Sequence, residues 1–304
     1  MIDIQQLEQA MFECLKLAAT KIPPDIQKAL EQVLERESDP LSRRHVEVTL
    51  ENARLAAAGR GLVCGDTGFP LFFITAGKEV RVRGGFEQLW RAARTATAKA
   101  TERSYLRPTM VDPLDRSNPG TNVGAGMPKI HLSFGGPDDL LEIIAAPKGG
   151  GSEIFGTFYR MLYPSDGRAG IMKFVIDSIR TGCYAGKICP PAIIGVGIGG
   201  TADLCMSMAK QAALLRPVGA INPDSELREI EEQLLAASRE LGIGPMGARG
   251  QSAVLAVHLR RAVTHTAALP VAVNAQCSIG RRWRALLRNN EKTVYTGEME
   301  TAYV

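Results

Sequence analysis

The chain has 304 residues, 45% hydrophobic and 22% charged, with a formal net charge of +4. That is globular composition, enough for one large domain or two smaller ones. Lys and Arg are spread without a long basic run, which disfavours nucleic acid, and no apolar run approaches the length of a membrane span. Six cysteines in a chain this long do not make a disulfide framework; they fit a reducing compartment with metal or buried thiols. The mild positive balance suits a small anionic substrate. The first residues lack the charged-then-apolar order of a signal peptide, so a cytoplasmic location is expected.

Ile4, Leu7, Met11, Cys14, Leu15 and Leu17 recur at helical spacing until Pro23-Pro24 breaks the run. Cys14 falls on that apolar stripe and reads as core. Further helical stretches are expected over 25–36 and 40–59. Leu71 to Thr75 and Val80 to Val82 flank Ala76-Gly77-Lys78, which reads as a hairpin. A helix over 86–103 follows, and then a Pro-, Asn- and Gly-rich loop over 107–128. Lys129 to Phe134 and Leu140 to Ala146 read as another strand pair. Beyond them the pattern predicts helices over 168–182 and 201–215 around a buried strand over 192–197. The charged stretch 224–241 reads as an amphipathic helix that Ser225 caps and Gly242 ends. Two β-like runs, 252–258 and 270–275, complete the readable part. With no internal repeat and no clear linker, we expect a single domain over 1–304. Its fold class is α+β (mixed α/β), a helical N-terminal region followed by mixed strands and helices.

Cys64, Cys189 and Cys277 each sit at a sharp backbone break, in Cys64-Gly65-Asp66-Thr67-Gly68, Cys189-Pro190-Pro191 and Gln276-Cys277-Ser278. Four thiolates close an iron–sulfur cluster for electron transfer, whereas three leave one iron open for Lewis-acid chemistry. A buried cysteine is otherwise an ordinary small core residue, and Cys183 and Cys205, in helix-like apolar runs, read that way. Asp66 lies within reach of whatever a Cys64-bound metal would hold and is a candidate proton shuttle; taken alone it is equally a turn residue. Of the four histidines, His265 leads toward the strand that ends at Cys277. Lys148-Gly149-Gly150-Gly151-Ser152 is not a Walker loop, because its lysine precedes the glycines. It reads as an anion nest or a tight turn. Gly195 to Gly200 matches G-x-G-x-x-G between an apolar run and a helix, but no strand ending in an acid follows at the right distance.

The set CGDTG (64–68), SNPGTNVGAGMPKI (117–130), KGGGSE (148–153), CPPAIIGVGIGG (189–200), IGPMGARGQSAVLAVH (243–258) and NAQCSIGRR (274–282) spans most of the chain. In these motifs the chain resembles the iron–sulfur hydro-lyases of the class I fumarase family, and most of all the separate α subunit of two-subunit fumarases and L-tartrate dehydratases. The resemblance implies a [4Fe-4S] cluster on Cys64, Cys189 and Cys277, with Asp66 and His265 handling protons. It implies Arg107 as a clamp on a substrate carboxylate and Gly149, Gly150 and Gly151 lying against the substrate. The substrate would be a small dicarboxylate or hydroxy-dicarboxylate whose hydroxyl and carboxylate meet the open iron. The catalytic base would come from a β subunit, in a hetero-oligomer of αβ pairs, so this chain would be inactive alone. One departure bears on the substrate: the family has Cys-Gln-Asp-Thr-Gly, and here Gly65 stands in place of the glutamine. Two readings from other classes stand beside this one. A redox or sensor iron–sulfur protein would take Cys183 as fourth ligand, and an oxidoreductase would bind NAD at Gly195 to Gly200.

Overall fold

The computed structural model describes residues 1–289 and 291–299. In chain order its elements begin with helices α1 (Ile4–Thr20), α2 (Pro24–Arg36) and α3 (Pro40–Ala57), strand β1 (Phe69–Ala76) and helix α4 (Gln88–Glu102). Strands β2 (Lys129–Phe134) and β3 (Leu141–Lys148), the short helix α5 (Gly150–Ile154), strand β4 (Thr157–Leu162) and helix α6 (Gly167–Cys183) follow. Strand β5 (Ala192–Ile198), helices α7 (Ala202–Leu215) and α8 (Ser225–Arg239), and strands β6 (Val254–Arg261), β7 (Leu269–Gln276), β8 (Trp283–Leu287) and β9 (Val294–Thr296) complete the chain. The class is α+β, as expected.

Two compact units divide these elements. The first comprises Met1–Pro23, Asn52–Gly150 and Arg281–Glu298. Its sheet has the order β2-β1-β3-β8-β9. Asp3 starts α1 with a capping box: the Gln6 N–H donates to its carboxylate at 2.9 Å, and the Gln6 side chain accepts the Asp3 N–H. The apolar stripe of α1 then buries Leu7, Met11 and Leu15 among Phe72, Ile74, Ile143 and Leu287. The alanines of α4 (Ala92, Ala93, Ala96, Ala100) are all fully buried in the same core. Their small side chains let the two helix backbones approach closely. Cys14 is buried on this stripe, as its spacing predicts.

The second unit comprises Pro24–Glu51 and Gly151–Gly280. Its sheet has the order β4-β7-β5-β6, with β5 and β6 parallel and β7 antiparallel to β5. Helices α6 and α8 bury Phe174, Val175, Ile230 and Leu234 in one core with Val196, Val257 and Val273. The other face is covered by α7. Gly195 and Gly197 permit that contact: a Cβ on either would come within about 2 Å of the Ala209 or Cys205 carbonyl oxygen. Both glycines therefore lie inside β5, where they serve helix-on-strand packing. A dinucleotide fingerprint instead places its glycines in the turn after the strand.

Several local expectations are corrected. No hairpin joins 71–75 to 80–82. Instead β1 runs antiparallel to β3 and parallel to β2, and Val82 makes only an isolated bridge to Ile2. The runs 129–134 and 141–148 do not pair with each other, because β1 lies between them. Asp224, not Ser225, caps α8, accepting the N–H groups of Glu226 and Leu227. The helix ends at Arg239, three residues before Gly242. Strands β4, β8 and β9 carry no pattern clear enough to read beforehand. β4 is an edge strand with Tyr159 and Met161 exposed, so the apolar alternation of a half-buried strand is absent.

Candidate functional site

In the first unit, the loop 64–68 is held by hydrogen bonds to its own atoms and to Gly150. The Asp66 N–H points at Cys64 Sγ, 3.4 Å away, which orients a half-buried thiol at the loop's start. The Asp66 carboxylate accepts the Gly68 N–H at 3.0 Å and the Gly150 N–H at 2.6 Å. Gly68 is required here: its φ is +67°, and a Cβ would overlap the Lys148 carbonyl. So Asp66 and Gly150 meet, and Gly149 adjoins them in the chain.

Arg107 enters the same neighbourhood on the long loop. Its N–H donates to Thr67 Oγ1 and its carbonyl accepts from Asn122 Nδ2 at 2.8 Å. Fully buried Asn122 also accepts the N–H groups of Thr109 and Met110 through one oxygen, at 2.8 and 3.0 Å. One side chain thereby satisfies three backbone groups of a segment that lacks secondary structure. A Cβ on Gly65 would meet only Arg107 Nη1, at 3.6 Å, and the Gly65 φ is not positive. Nothing in the backbone demands glycine there, and the space beside the Arg107 guanidinium is open. Thr67 and Asn122 escape sequence reasoning; Asn122 lies inside the Asn- and Gly-rich motif, but no periodicity singles it out.

In the second unit, Cys189 and Cys277 are brought together. The Ser278 N–H donates to the Cys189 carbonyl at 3.1 Å, because Gln276 at the end of β7 pairs with Ile193 near the start of β5. Cys189 has φ of +53°, a left-handed conformation unusual for a non-glycine residue. Such outliers cost on the order of 1–3 kcal/mol and concentrate where a side chain must be aimed. Here the thiol is exposed. Cys277 is buried, at 8% exposure. Gly151 is the second residue of α5, and a Cβ on it would lie 2.8 Å from the Lys187 carbonyl.

His265 lies elsewhere in this unit. It sits exposed in the loop between β6 and β7, whose residues bond to Ile198 and Gly200 at the far end of β5. The eight residues of β7 separate it from Cys277, a span of roughly 25 Å at the rise of a strand. The structure thus pairs Cys189 with Cys277 and does not bring His265 to them within this unit.

The remaining cysteines have no access to ligand chemistry. Cys183 is fully buried with its thiol 3.7 Å from the Ala253 carbonyl, and burial pushes its pKa up to about 12. Burial raises Cys205 to about 11 and lifts Cys14 well above the usual thiol value. Only the thiolate binds metal, so these three are core thiols, as their helical spacing suggests. Among the described residues, no group of three or more His, Cys, Asp or Glu side chains gathers as for a single metal ion. A cubane makes a different demand, since each thiolate binds its own iron. Cys64, Cys189 and Cys277 are free of disulfides, each lies at a chain turn, and Cys64 already accepts an N–H.

Known proteins resemble this chain over most of its length. Residues 8–285 match the family model described as "Fumarate hydratase (Fumerase)". A protein of Methanocaldococcus jannaschii, provisionally named L(+)-tartrate dehydratase subunit alpha, is 39% identical over 91% of this chain and 96% of its own length. The L(+)-tartrate dehydratase subunit alpha of Escherichia coli K12 is 30% identical over 93% of this chain and 91% of its own. No helix among the described residues is long and apolar enough to cross a membrane. By the extent of these matches and the motifs that carry them, the chain belongs to the fumarate hydratase (fumerase) family.

Proposed function

We propose that this chain is the α-type subunit of a cytoplasmic iron–sulfur hydro-lyase that adds or removes water on a small dicarboxylic acid of the fumarate/malate or tartrate type. The observation that carries the reading is the contrast among the cysteines. Cys189 and Cys277 are tied together at one end of a sheet and Cys64 heads a hydrogen-bonded loop. The other three are fully buried within hydrophobic cores. On this reading residues 1–304 act as one functional half, and Cys64, Cys189 and Cys277 hold a [4Fe-4S] cluster. When bound, that cluster supplies an open iron as Lewis acid toward a substrate oxygen.

The chain's own groups do the rest. The Arg107 guanidinium receives a substrate carboxylate as a bidentate donor, with the space at Gly65 available beside it. The Gly149–Gly151 turn lines the substrate's other side. The Asp66 carboxylate, fixed in orientation by the Gly68 and Gly150 N–H groups, takes or returns the proton of the hydroxyl. His265 shares that proton, and since β7 separates it from Cys189 and Cys277 in its own chain, it reaches the site of a second copy. The carbon-bound proton is handled by a β subunit, in a hetero-oligomer of αβ pairs; the name "subunit alpha" of the relatives supports such a partner.

The test is iron and acid-labile sulfide per chain after anaerobic purification with the partner. About four of each are expected in the wild type, with loss in Cys64→Ser, Cys189→Ser and Cys277→Ser and unchanged content in Cys183→Ala. Loss of the cluster in Cys183→Ala would instead favour a four-thiolate redox protein. Absence of iron from the wild type would remove the cluster altogether.

A further inference from the structure

Two of the chain's buried arginines are paired with carboxylates. Arg216, 1% exposed, gives two N–H groups to Glu231, and Arg284 gives Nη1 to Glu142 at 2.8 Å. Arg281 is different. It is 3% exposed, and Nη1 donates to the Asp66 main-chain carbonyl. Its Nε and Nη2 are buried with no hydrogen-bond partner among the described residues, and no carboxylate pairs with it there. A guanidinium stays charged at any physiological pH. Burying that charge with three of its five N–H donors unmet is strongly unfavourable unless an anion completes the set. The free edge is the one formed by Nε and Nη2, two parallel N–H groups suited to gripping an anion.

The place of this edge narrows the choice of anion. Arg281 holds the carbonyl of Asp66, whose N–H points at Cys64 Sγ. It also follows Cys277 by four residues in the chain. A permanently buried positive charge calls for a permanently present counter-charge, and a substrate that arrives and leaves does not provide one. We infer that the Nε–Nη2 edge of Arg281 donates to the sulfur of a resident iron–sulfur cluster, making Arg281 a positioning residue that holds the Cys64–Asp66 loop and sets the cluster's electronic state. The inference rests on the cluster reading above. Hydrogen bonds to cluster sulfur stabilise the reduced, more negative form and raise the reduction potential.

The experiment compares wild type, Arg281→Lys and Arg281→Gln, each purified anaerobically with its partner subunit. Iron and sulfide content are measured, together with the midpoint potential of the one-electron couple followed by electron paramagnetic resonance. Arg281→Gln removes the charge and is expected to shift the midpoint to more negative values and to lose iron faster on dilution. Arg281→Lys keeps the charge without the fork and should fall between; it carries the test if the glutamine variant does not fold. A wild type without iron would defeat the cluster reading itself. A wild type with its cluster, and variants with unchanged potential and iron retention, would overturn the inference while leaving that reading intact. The same variants showing only a raised KM would assign the edge to a substrate carboxylate and likewise overturn it.

Discussion

Asp66→Asn is expected to reduce turnover by about 10²–10⁴-fold, the usual contribution of a positioned proton-transfer group, while leaving iron content near that of the wild type. The amide keeps one acceptor for the Gly68 or Gly150 N–H, but it cannot accept both bonds and cannot take up a proton. His265→Asn should lower turnover comparably. The sharper result comes from combining the two variants in one assembly. Differently tagged Asp66→Asn and His265→Asn chains, co-expressed with the partner subunit, yield mixed oligomers that tandem affinity steps isolate. If His265 serves the site of a second copy, one of two sites in the mixed oligomer has both native groups. Roughly half the wild-type activity should then return, as closed two-fold assembly requires. If both groups act in the same chain, every site lacks one of them and the mixture stays as inactive as its parents. The sheet topology motivates the experiment, because β7 sets His265 and Cys277 at opposite ends of one strand.

That separation shows where sequence reading reaches its limit. His265 and Cys277 are twelve positions apart, and the motif order alone suggests neighbours. The apolar run between them was legible as β structure, but an extended strand carries its ends apart, so the reading of the strand already contained the geometric objection. The long amphipathic helices were legible because a 3.6-residue period needs no knowledge of partners: α1, α2, α6, α7 and α8 all fall within a few residues of the periodic runs. Cys14, Cys183 and Cys205 were legible as core for the same reason. Strand pairing was not. The pattern marks 129–134 and 141–148 as strands, but which strand lies between them depends on contacts distant in sequence, and β1 took that position. The loop 107–128 was legible only as a loop. Its order comes from Asn122, whose single amide organises Arg107, Thr109 and Met110, and no local pattern marks a residue whose role is to satisfy someone else's backbone. Arg281 belongs to the same class: it stands inside a recognised motif, but its unmet Nε and Nη2 emerge only from burial.

Glu231→Gln is expected to destabilise the protein by about 3–5 kcal/mol, the cost of leaving a buried charge without its partner. Glu231 lies on α8 at 8% exposure, and its carboxylate collects four donors. Oε1 accepts from Arg216 Nη1 at 2.6 Å, from Asn222 Nδ2 at 2.8 Å and from the Leu259 N–H at 2.7 Å, while Oε2 accepts from Arg216 Nη2 at 3.0 Å. The last strand in the order β4-β7-β5-β6 is β6, so the Leu259 N–H would otherwise sit on an open edge, the kind of group that recruits another strand. Glu231 closes that donor, and Asn222 Nδ2 donates to the Leu259 carbonyl at 3.2 Å. A glutamine at 231 keeps the shape, loses the charge and turns an amide N–H₂ toward groups that are themselves donors. At the usual conversion the thermal midpoint should fall by about 10 °C. The double variant Arg216→Met/Glu231→Leu separates charge from packing. Removing both charges should recover much of the loss, as apolar replacement of buried pairs often does, though the Leu259 N–H remains unpaired. A loss below about 1 kcal/mol in Glu231→Gln, the scale of an exposed pair, would mean that Arg216 finds another partner and that the pair is not what holds α8 against β6.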